Sequence, residues 1–214
     1  MPTTENNCSI IVYAKAPIPG EVKTRLSSVL DAESSALLHA ALVERALAIA
    51  QDSGLAHQEL CCAPDQTHSF FRTCAEDFGV ALTGQGGGGL GERMLRTLAR
   101  ALQTHEAAII IGADCPALTG KHIAGAARSL ASRDVVLTPA DDGGYVLIGA
   151  RRVHDDMFNA IDWGTDEVLA QQRRQLRACA LSWHETETLW DVDRPEDLPR
   201  LRALKPALEF FWPA

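Results

Sequence analysis

The chain has 214 residues, 46% hydrophobic and 22% charged, with a formal net charge of −8 at pH 7. That length suits one α/β domain with a full core and is short for two, so a single nucleotide-binding-size domain over 1–214 is expected. The acidic balance excludes nucleic acid as a bulk partner, which would need a basic face, and no apolar run is long enough to span a membrane. The N-terminal run Met1-Pro-Thr-Thr-Glu-Asn-Asn lacks the charge and apolar stretch of a signal peptide, so a cytoplasmic protein is expected. None of the six cysteines (Cys8, Cys61, Cys62, Cys74, Cys115 and Cys179) forms a C-x-x-C pair, and free, mostly buried thiols are expected.

In chain order, the first element is a buried strand over Ser9–Ala14. A loop follows that carries Lys15, Lys23 and Arg25 and is stiffened by Pro17 and Pro19. Three cations where a parallel strand ends suit a polyphosphate, because open α/β sheets bind ligands beyond the carboxyl ends of their strands. Asp31–Gln51 has helical apolar spacing at Leu37, Leu38, Ala41, Leu42 and Leu47, with Asp31 as N-cap. Strands at Glu59–Ala63 and Val80–Thr83 come next.

Gly84–Arg93 then contains G-x-G-x-x-G at Gly86, Gly88 and Gly91. Any glycine-rich run yields that pattern, and this one lacks the Gly-Lys-Ser/Thr ending of a P-loop. It reads either as a flexible loop entering the helix Leu90–Gln103 or as a lid that lets a base or ribose approach backbone. The strand Ala107–Gly112 ends at Asp114, on the edge expected for the Lys15–Arg25 loop. A carboxylate there suits Mg²⁺, which takes one or two carboxylates and completes its shell with water and phosphate oxygens. A turn cap before Pro116 explains Asp114 equally well.

A helix over Thr119–Leu130 leads to strands at Asp134–Thr138 and Tyr145–Gly149. Their junction, Thr138–Tyr145, carries the turn signal Asp142-Gly143, with Asp141 and Tyr145 left over for substrate contact. Trp163–Glu167 reads as a helix start capped by Thr165, a place that also suits an anionic acceptor. After the helix Asp166–Cys179 and a strand near Ala180–Trp183, Trp190–Leu198 places Asp191 and Asp193 on one face of an extended segment. Two carboxylates so placed repel one another unless a cation or water lies between them. Asp193 can also cap the helix entered at Pro195 and running to Leu204. Strand and helix alternate throughout, which implies a three-layer α/β/α fold on a mostly parallel sheet.

Six segments together resemble a known family: Lys15–Leu26, Leu90–Met94, Gly112–Pro116, Pro139–Tyr145, Trp163–Thr165 and Asp191–Leu198. In this order they resemble the bacterial GT-A-fold glycosyltransferase-like proteins, also called radical-SAM/selenodomain-associated transferases. A more distant likeness runs to the guanylyltransferases of deazaflavin-cofactor synthesis. The resemblance implies the fold of nucleotide-diphospho-sugar transferases. It also implies a divalent cofactor, Mg²⁺ or Mn²⁺, on Asp114, Asp191 and Asp193, and phosphates on Lys15, Lys23 and Arg25. The nucleoside would lie against Gly86, Gly88, Gly89, Leu90 and Gly91. The acceptor would face Asp142, Gly143, Gly144, Tyr145 and Thr165; Gly164 departs from the Ser expected there. Lys15, Lys23, Arg25 and Asp114 would form the catalytic set.

The expected activity is a Mg²⁺-dependent transfer in a monomer or homodimer. Three loop cations and a metal favour nucleotidyl transfer from an NTP to a small anionic acceptor, with glycosyl transfer from an NDP-sugar as the alternative. An NAD(P)-binding oxidoreductase using the glycine loop, or a non-catalytic nucleotide-binding protein, are further readings.

Overall fold

The structure is a computed structural model and describes residues 7–205, 207, 208 and 210. Seven strands form one sheet in the order β3-β2-β1-β4-β6-β5-β7. They are β1 (Cys8–Lys15), β2 (His57–Ala63), β3 (Ala81–Gly84), β4 (Ala107–Gly112), β5 (Val135–Pro139), β6 (Tyr145–Ala150) and β7 (Trp183–Glu185). The helices are α1 (Ala32–Asp52), α2 (Ser69–Phe78), α3 (Leu90–Ala101), α4 (Gly120–Ser129), α5 (Val168–Ala178) and α6 (Leu198–Arg202). Every strand pair is parallel except those of β6, which runs against both β4 and β5. The sequence thus led to the right architecture, with one reversed strand that the Asp142-Gly143 turn produces.

Both faces of the sheet are covered, which is why β1 and β4 read as continuous apolar runs rather than alternating ones. Ile10, Val12, Ile109 and Ile111 point to the face that α1 and α4 cover, where Leu47, Ile123 and Ala126 meet them. Ile11, Ile110 and Ile148 point to the other face, against Met94 and Leu98 of α3 and Val168, Leu169 and Leu176 of α5. A third cluster joins Leu38 and Leu42 of α1 to Val192, Leu198, Leu201 and Leu208, with Phe210 packed on it. Of the apolar C-terminal tail, Phe211–Pro213 lie outside the described residues.

Local signals account for most boundaries. Asp31 caps α1 through Ser34 N (2.7 Å), and Thr119 caps α4 through His122 N. The helix α2 was not anticipated. Only Phe71 and Cys74 in it are buried, so its amphipathic stripe is thin, although His68 caps one end and Gly79 closes the other at φ 63°. At the C-terminus the expected helix splits into a 3₁₀ turn, Pro195–Asp197, and α6. The last strand lies a little after its expected place. No helix among the described residues is long and apolar enough to cross a membrane.

Parallel β1, β4 and β5 end on the edge where reversed β6 begins. Lys15, Asp114, Asp142 and Tyr145 are therefore neighbours by topology. β1 is flanked by β2 on one side and β4 on the other, so the crevice opens where the winding changes direction.

Gly149 marks how closely this sheet is packed: a Cβ there would stand 2.8 Å from Val136 Cγ1 and 2.9 Å from Ile109 Cγ1. Gly149→Ala should cost about 1–3 kcal/mol by overpacking, read as a lowered urea midpoint with an unchanged m-value.

Candidate functional site

A cleft of about 540 Å³ opens at this edge. Lys15, Lys23, Arg25, His39, Asp114 and Asp193 line one half of it. Tyr13, Leu90, Met94, Tyr145, Trp163 and Val168 line the other, with Asp142, Gly144 and Thr165 at the rim. The structure thus brings together residues that lie up to 180 positions apart, from Tyr13 to Asp193.

The loop after β1 folds back through a 3₁₀ turn, Thr24–Leu26, anchored by the fully buried Leu26. Lys23 precedes that turn at φ 51°, a left-handed conformation uncommon for a residue with a side chain. Its ammonium explains why that conformation is held. It donates to Val192 O at 2.6 Å and lies 2.6 Å from Asp114 Oδ1, with the side chain only 4% exposed. Lys23 therefore ties the loop to the end of β4 and to the C-terminal segment. Arg25 is exposed and pairs with Asp193. Lys15 is exposed at the cleft and makes no ion pair among the described residues.

Asp114 has two sides. Oδ1 is buried and has no hydrogen bond of good geometry, while the side chain as a whole is 48% exposed and opens to the cleft. Burial pushes its carboxyl up, but Lys23, His39 and Lys15 together hold it below the ordinary range. Asp191 goes the other way: burial, then Asp142 and Asp114, push its carboxyl up to about 7 against the pull of Lys23. Asp114, Asp142 and Asp191 are thus close enough to repel one another.

Between Asp191 and Asp193, Val192 is fully buried and its N–H donates to Asp114 O at 2.9 Å. The alternation expected of this segment holds, although it pairs as no regular strand. Asp193 does not cap the following turn; Asp197 does, accepting from Asp193 N and Arg194 N. Among the described residues no three His, Cys, Asp or Glu side chains gather as a ready metal site. The expected trio Asp114, Asp191 and Asp193 is divided, with Asp193 drawn off by Arg25.

The glycine segment is not an open loop. Arg96 donates to Gln85 O (2.9 Å) and Gly87 O (2.6 Å), and Gly89 N donates to Glu92 Oε2 (2.9 Å). Gln85 O, Gly87 O and Gly89 N are thus engaged by the following helix, which pins the segment. Gln85 and Leu90 line the cleft, whereas Gly86, Gly88, Gly89 and Gly91 do not. Gly91 has a packing role: a Cβ there would stand 2.8 Å from Phe158 Cβ and 3.2 Å from the Trp163 ring.

At the rim, Asp142 Oδ1 accepts Gly144 N (2.8 Å) and carries no ion pair among the described residues. Gly143 sits at φ 90°, where a Cβ would strike Asp166 O at 2.2 Å, and its carbonyl accepts Leu169 N; it lies behind the rim. The Tyr145 hydroxyl faces away, donating to Gln172 Oε1 at 3.1 Å, and burial raises its pKa, so only the ring meets the cleft. Thr165 Oγ1 donates to Asp162 O (2.8 Å), and α5 starts later, at Val168. Gly164 sits at φ 83°, which explains glycine where Ser was expected.

Among the lining residues that sequence reasoning missed are His39, Gln85, Arg93 and Trp163. His39 is a polar residue on the buried stripe of α1, and its Nε2 lies 3.0 Å from Lys15 O. A carbonyl only accepts, so Nε2 carries the proton; Nδ1 is buried without a hydrogen-bond partner, 3.9 Å from Asp114 Oδ1. Gln85 is buried, donating to Cys61 O (3.0 Å) and accepting from Arg93 Nη1 (2.6 Å). Trp163 packs edge-on to Tyr145, centroids 6.4 Å apart. A histidine on an otherwise apolar helix face was one available signal; Arg93 and Trp163 lay within the family-like segments Leu90–Met94 and Trp163–Thr165 without being given a role, and Gln85 within the glycine segment.

With this geometry established, comparison with known proteins places the chain. A Desulfovibrio desulfuricans G20 structure provisionally named a nucleotide-diphospho-sugar transferase is 27% identical; the match covers 94% of this chain and 89% of that one, with a TM-score of 0.81. CMP:2-keto-3-deoxy-manno-octonic acid synthetase, solved with CTP, is 13% identical over 94% of this chain and 99% of its own, TM-score 0.58. A Mycobacterium tuberculosis H37Rv protein solved with manganese is 14% identical over 92% and 98%, TM-score 0.53. At those last two identities the likeness is one of fold. A search of curated proteins finds no match. Residues 46–165, more than half of the chain, match the family described as uncharacterized proteins conserved in bacteria, and the chain belongs to that family, DUF2064, on the nucleotide-diphospho-sugar transferase fold.

Proposed function

We propose that this nucleotide-linked transferase carries out nucleotidyl transfer from a nucleoside triphosphate. The observation that carries the reading is the cationic loop at the carboxyl end of β1, facing Asp114 across the cleft. An acceptor oxygen bonds to the α-phosphorus, the bond from that phosphorus to the β-phosphate bridging oxygen breaks, and pyrophosphate leaves. Lys15, without an ion pair among the described residues, meets the phosphates first. Lys23 and Arg25 are each held by a carboxylate and can trade it for phosphate oxygen. Charge neutralisation and positioning are the main contributions such residues make. Gln85 and Leu90, the parts of the glycine segment that reach the cleft, lie against the nucleoside.

The residues fit a divalent cation. Asp114, Asp142 and Asp191 stand close together, and among the described residues only Asp114 of the three has a cation at contact distance, Lys23 Nζ at 2.6 Å, so this corner holds more carboxylates than paired cations. Asp114 and Asp191 would hold the ion, with water and phosphate oxygens completing the shell as Mg²⁺ and Mn²⁺ prefer. When bound, it supplies Lewis-acid polarisation of a phosphoryl oxygen. Glycosyl transfer from an NDP-sugar is the second reading, favoured by the name of the Desulfovibrio relative. Free thiols, with Cys8, Cys62, Cys74 and Cys115 each pushed up to about 12 by burial, support the cytoplasm as the place of work.

A thermal-shift panel of NTPs and NDP-sugars, each with and without Mg²⁺, tests the reading. A ligand at 100 times its Kd adds about 2.7 kcal/mol, roughly 5–10 °C for a chain of this size. A Mg²⁺-dependent shift with one NTP is expected; a preference for an NDP-sugar moves the reaction to glycosyl transfer, and no shift from either set overturns the nucleotide reading.

Asp114→Asn should remove the Mg²⁺-dependent part of that shift. The substitution also deprives the buried Lys23 ammonium of its carboxylate, so a lower baseline melting temperature is expected and each shift is judged against the variant's own baseline. An undiminished Mg²⁺ increment would remove Asp114 from the metal site.

A further inference from the structure

The two halves of the cleft differ in chemistry, and the half away from the cationic loop is not built for an anion. It lies on the sheet face shared by α3 and α5, where Tyr13, Leu90, Tyr145 and Trp163 are only partly buried on the core cluster beneath them. Met94 and Val168 form its floor. Its shape is preset rather than soft. The Trp163 ring packs against both Tyr145 and Phe158, with centroids 6.4 and 6.3 Å away, and α3 approaches it through Gly91 because no side chain would fit there.

The hydroxyls around this half are engaged within the protein. Tyr145 donates to Gln172, Tyr13 donates to Arg93 O and pairs with the Thr97 hydroxyl, and Thr165 donates to Asp162 O. Arg93 also lines the cleft, with its guanidinium held by Gln85 Oε1 at 2.6 Å, and its buried Nε has no hydrogen-bond partner among the described residues. Gln85 in turn bonds Ala14 O and Cys61 O of β1 and β2. What remains open at the rim is the Asp142 carboxylate, which accepts one backbone N–H and has no cation of its own. Asp191 and Asp114 stand close by and carry the same sign. A small anion placed here would face carboxylates and an apolar wall, both unfavourable to it. A hydrogen-bond donor on an apolar body fits both.

We infer that the acceptor is an uncharged alcohol with an aromatic or aliphatic body that lies against Trp163, Tyr145 and Met94. Its hydroxyl donates to the Asp142 carboxylate, which takes the proton as the oxygen bonds to the α-phosphorus and pyrophosphate leaves. This rests on the transferase reading for its role as acceptor, and it replaces the small anion expected from the sequence. The wall is aliphatic as well as aromatic and offers few polar atoms, which argues for such a body over a polyhydroxylated sugar.

The test uses benzyl alcohol, 2-phenylethanol and 3-phenylpropanol as probes, with 3-phosphoglycerate and glycerol as the anionic and polar comparators. Binding is measured by ligand-observed NMR on the nucleotide-free protein and again with saturating nucleotide. Affinity should rise about fourfold per added methylene, as burial of each in an apolar pocket predicts. Trp163→Leu should weaken all three alcohols at least fivefold, and Asp142→Asn should narrow the gap between the alcohols and 3-phosphoglycerate. If Trp163→Leu does not fold, Val168→Ala is the substitute and should weaken 3-phenylpropanol most. Tighter binding of 3-phosphoglycerate than of 3-phenylpropanol, a flat series, or alcohol affinities indifferent to these variants would overturn the inference. Because the nucleotide-free arm reads the pocket alone, a silent nucleotide panel with an intact alcohol series would sink the transferase role and not the pocket. An intact nucleotide shift with no alcohol binding would sink this inference alone.

Discussion

One buried ammonium organises the cleft. Lys23 reaches from the loop after β1 to Asp114 at the end of β4 and to the Val192 carbonyl of the C-terminal segment, 2.6 Å from each oxygen. Those three pieces of chain are far apart in sequence, and no regular strand pairing joins the last of them. A charge with 4% of its side chain exposed is tolerated only with close partners, so the partners must stay in place. The same requirement holds Lys23 itself at a positive φ. His39 adds a second tie, from mid-α1 to the carbonyl of Lys15, so both ends of the cationic loop are fixed while its middle faces solvent.

This arrangement has a chemical consequence. Two of the three loop cations are already paired with carboxylates, and one of those carboxylates, Asp114, is also a proposed holder of the metal. Lys23–Asp114 and Arg25–Asp193 therefore represent a cleft neutralised by its own side chains. A polyphosphate with a divalent ion offers Lys23 and Asp114 each a replacement of opposite sign, anion for the ammonium and cation for the carboxylate. Phosphate and metal should then favour one another's binding, because each removes a partner that competes with the other. Arg200 supports the far side of the same edge, pairing with Asp141 at 2.7 Å while stacking on Trp190.

Much of the fold was legible because the signals were local. Apolar β1 and β4, the cap Asp31, and the Asp142-Gly143 turn each follow from a few adjacent residues. The helix α2 was missed because two buried residues leave little periodicity to detect. The site was legible at the level of which edge, and the six motif segments do converge there. Its internal pairing was not. Whether Asp193 caps a turn or meets Arg25, and whether the Tyr145 hydroxyl faces substrate or Gln172, depends on contacts between distant segments. The glycine run misled for the opposite reason: its composition suggested mobility, but Arg96 and Glu92 on the following helix pin it.

The most direct test is a crystal structure with Mn²⁺ and a non-hydrolysable analogue of the nucleotide that stabilises the protein, with anomalous scattering locating the ion. The account predicts an anomalous peak at Asp114 and Asp191, phosphates on Lys15, and Lys23 turned from Asp114 toward phosphate oxygen. Nucleotide bound elsewhere, or bound in the cleft with no peak and the Lys23–Asp114 pair intact, would contradict it.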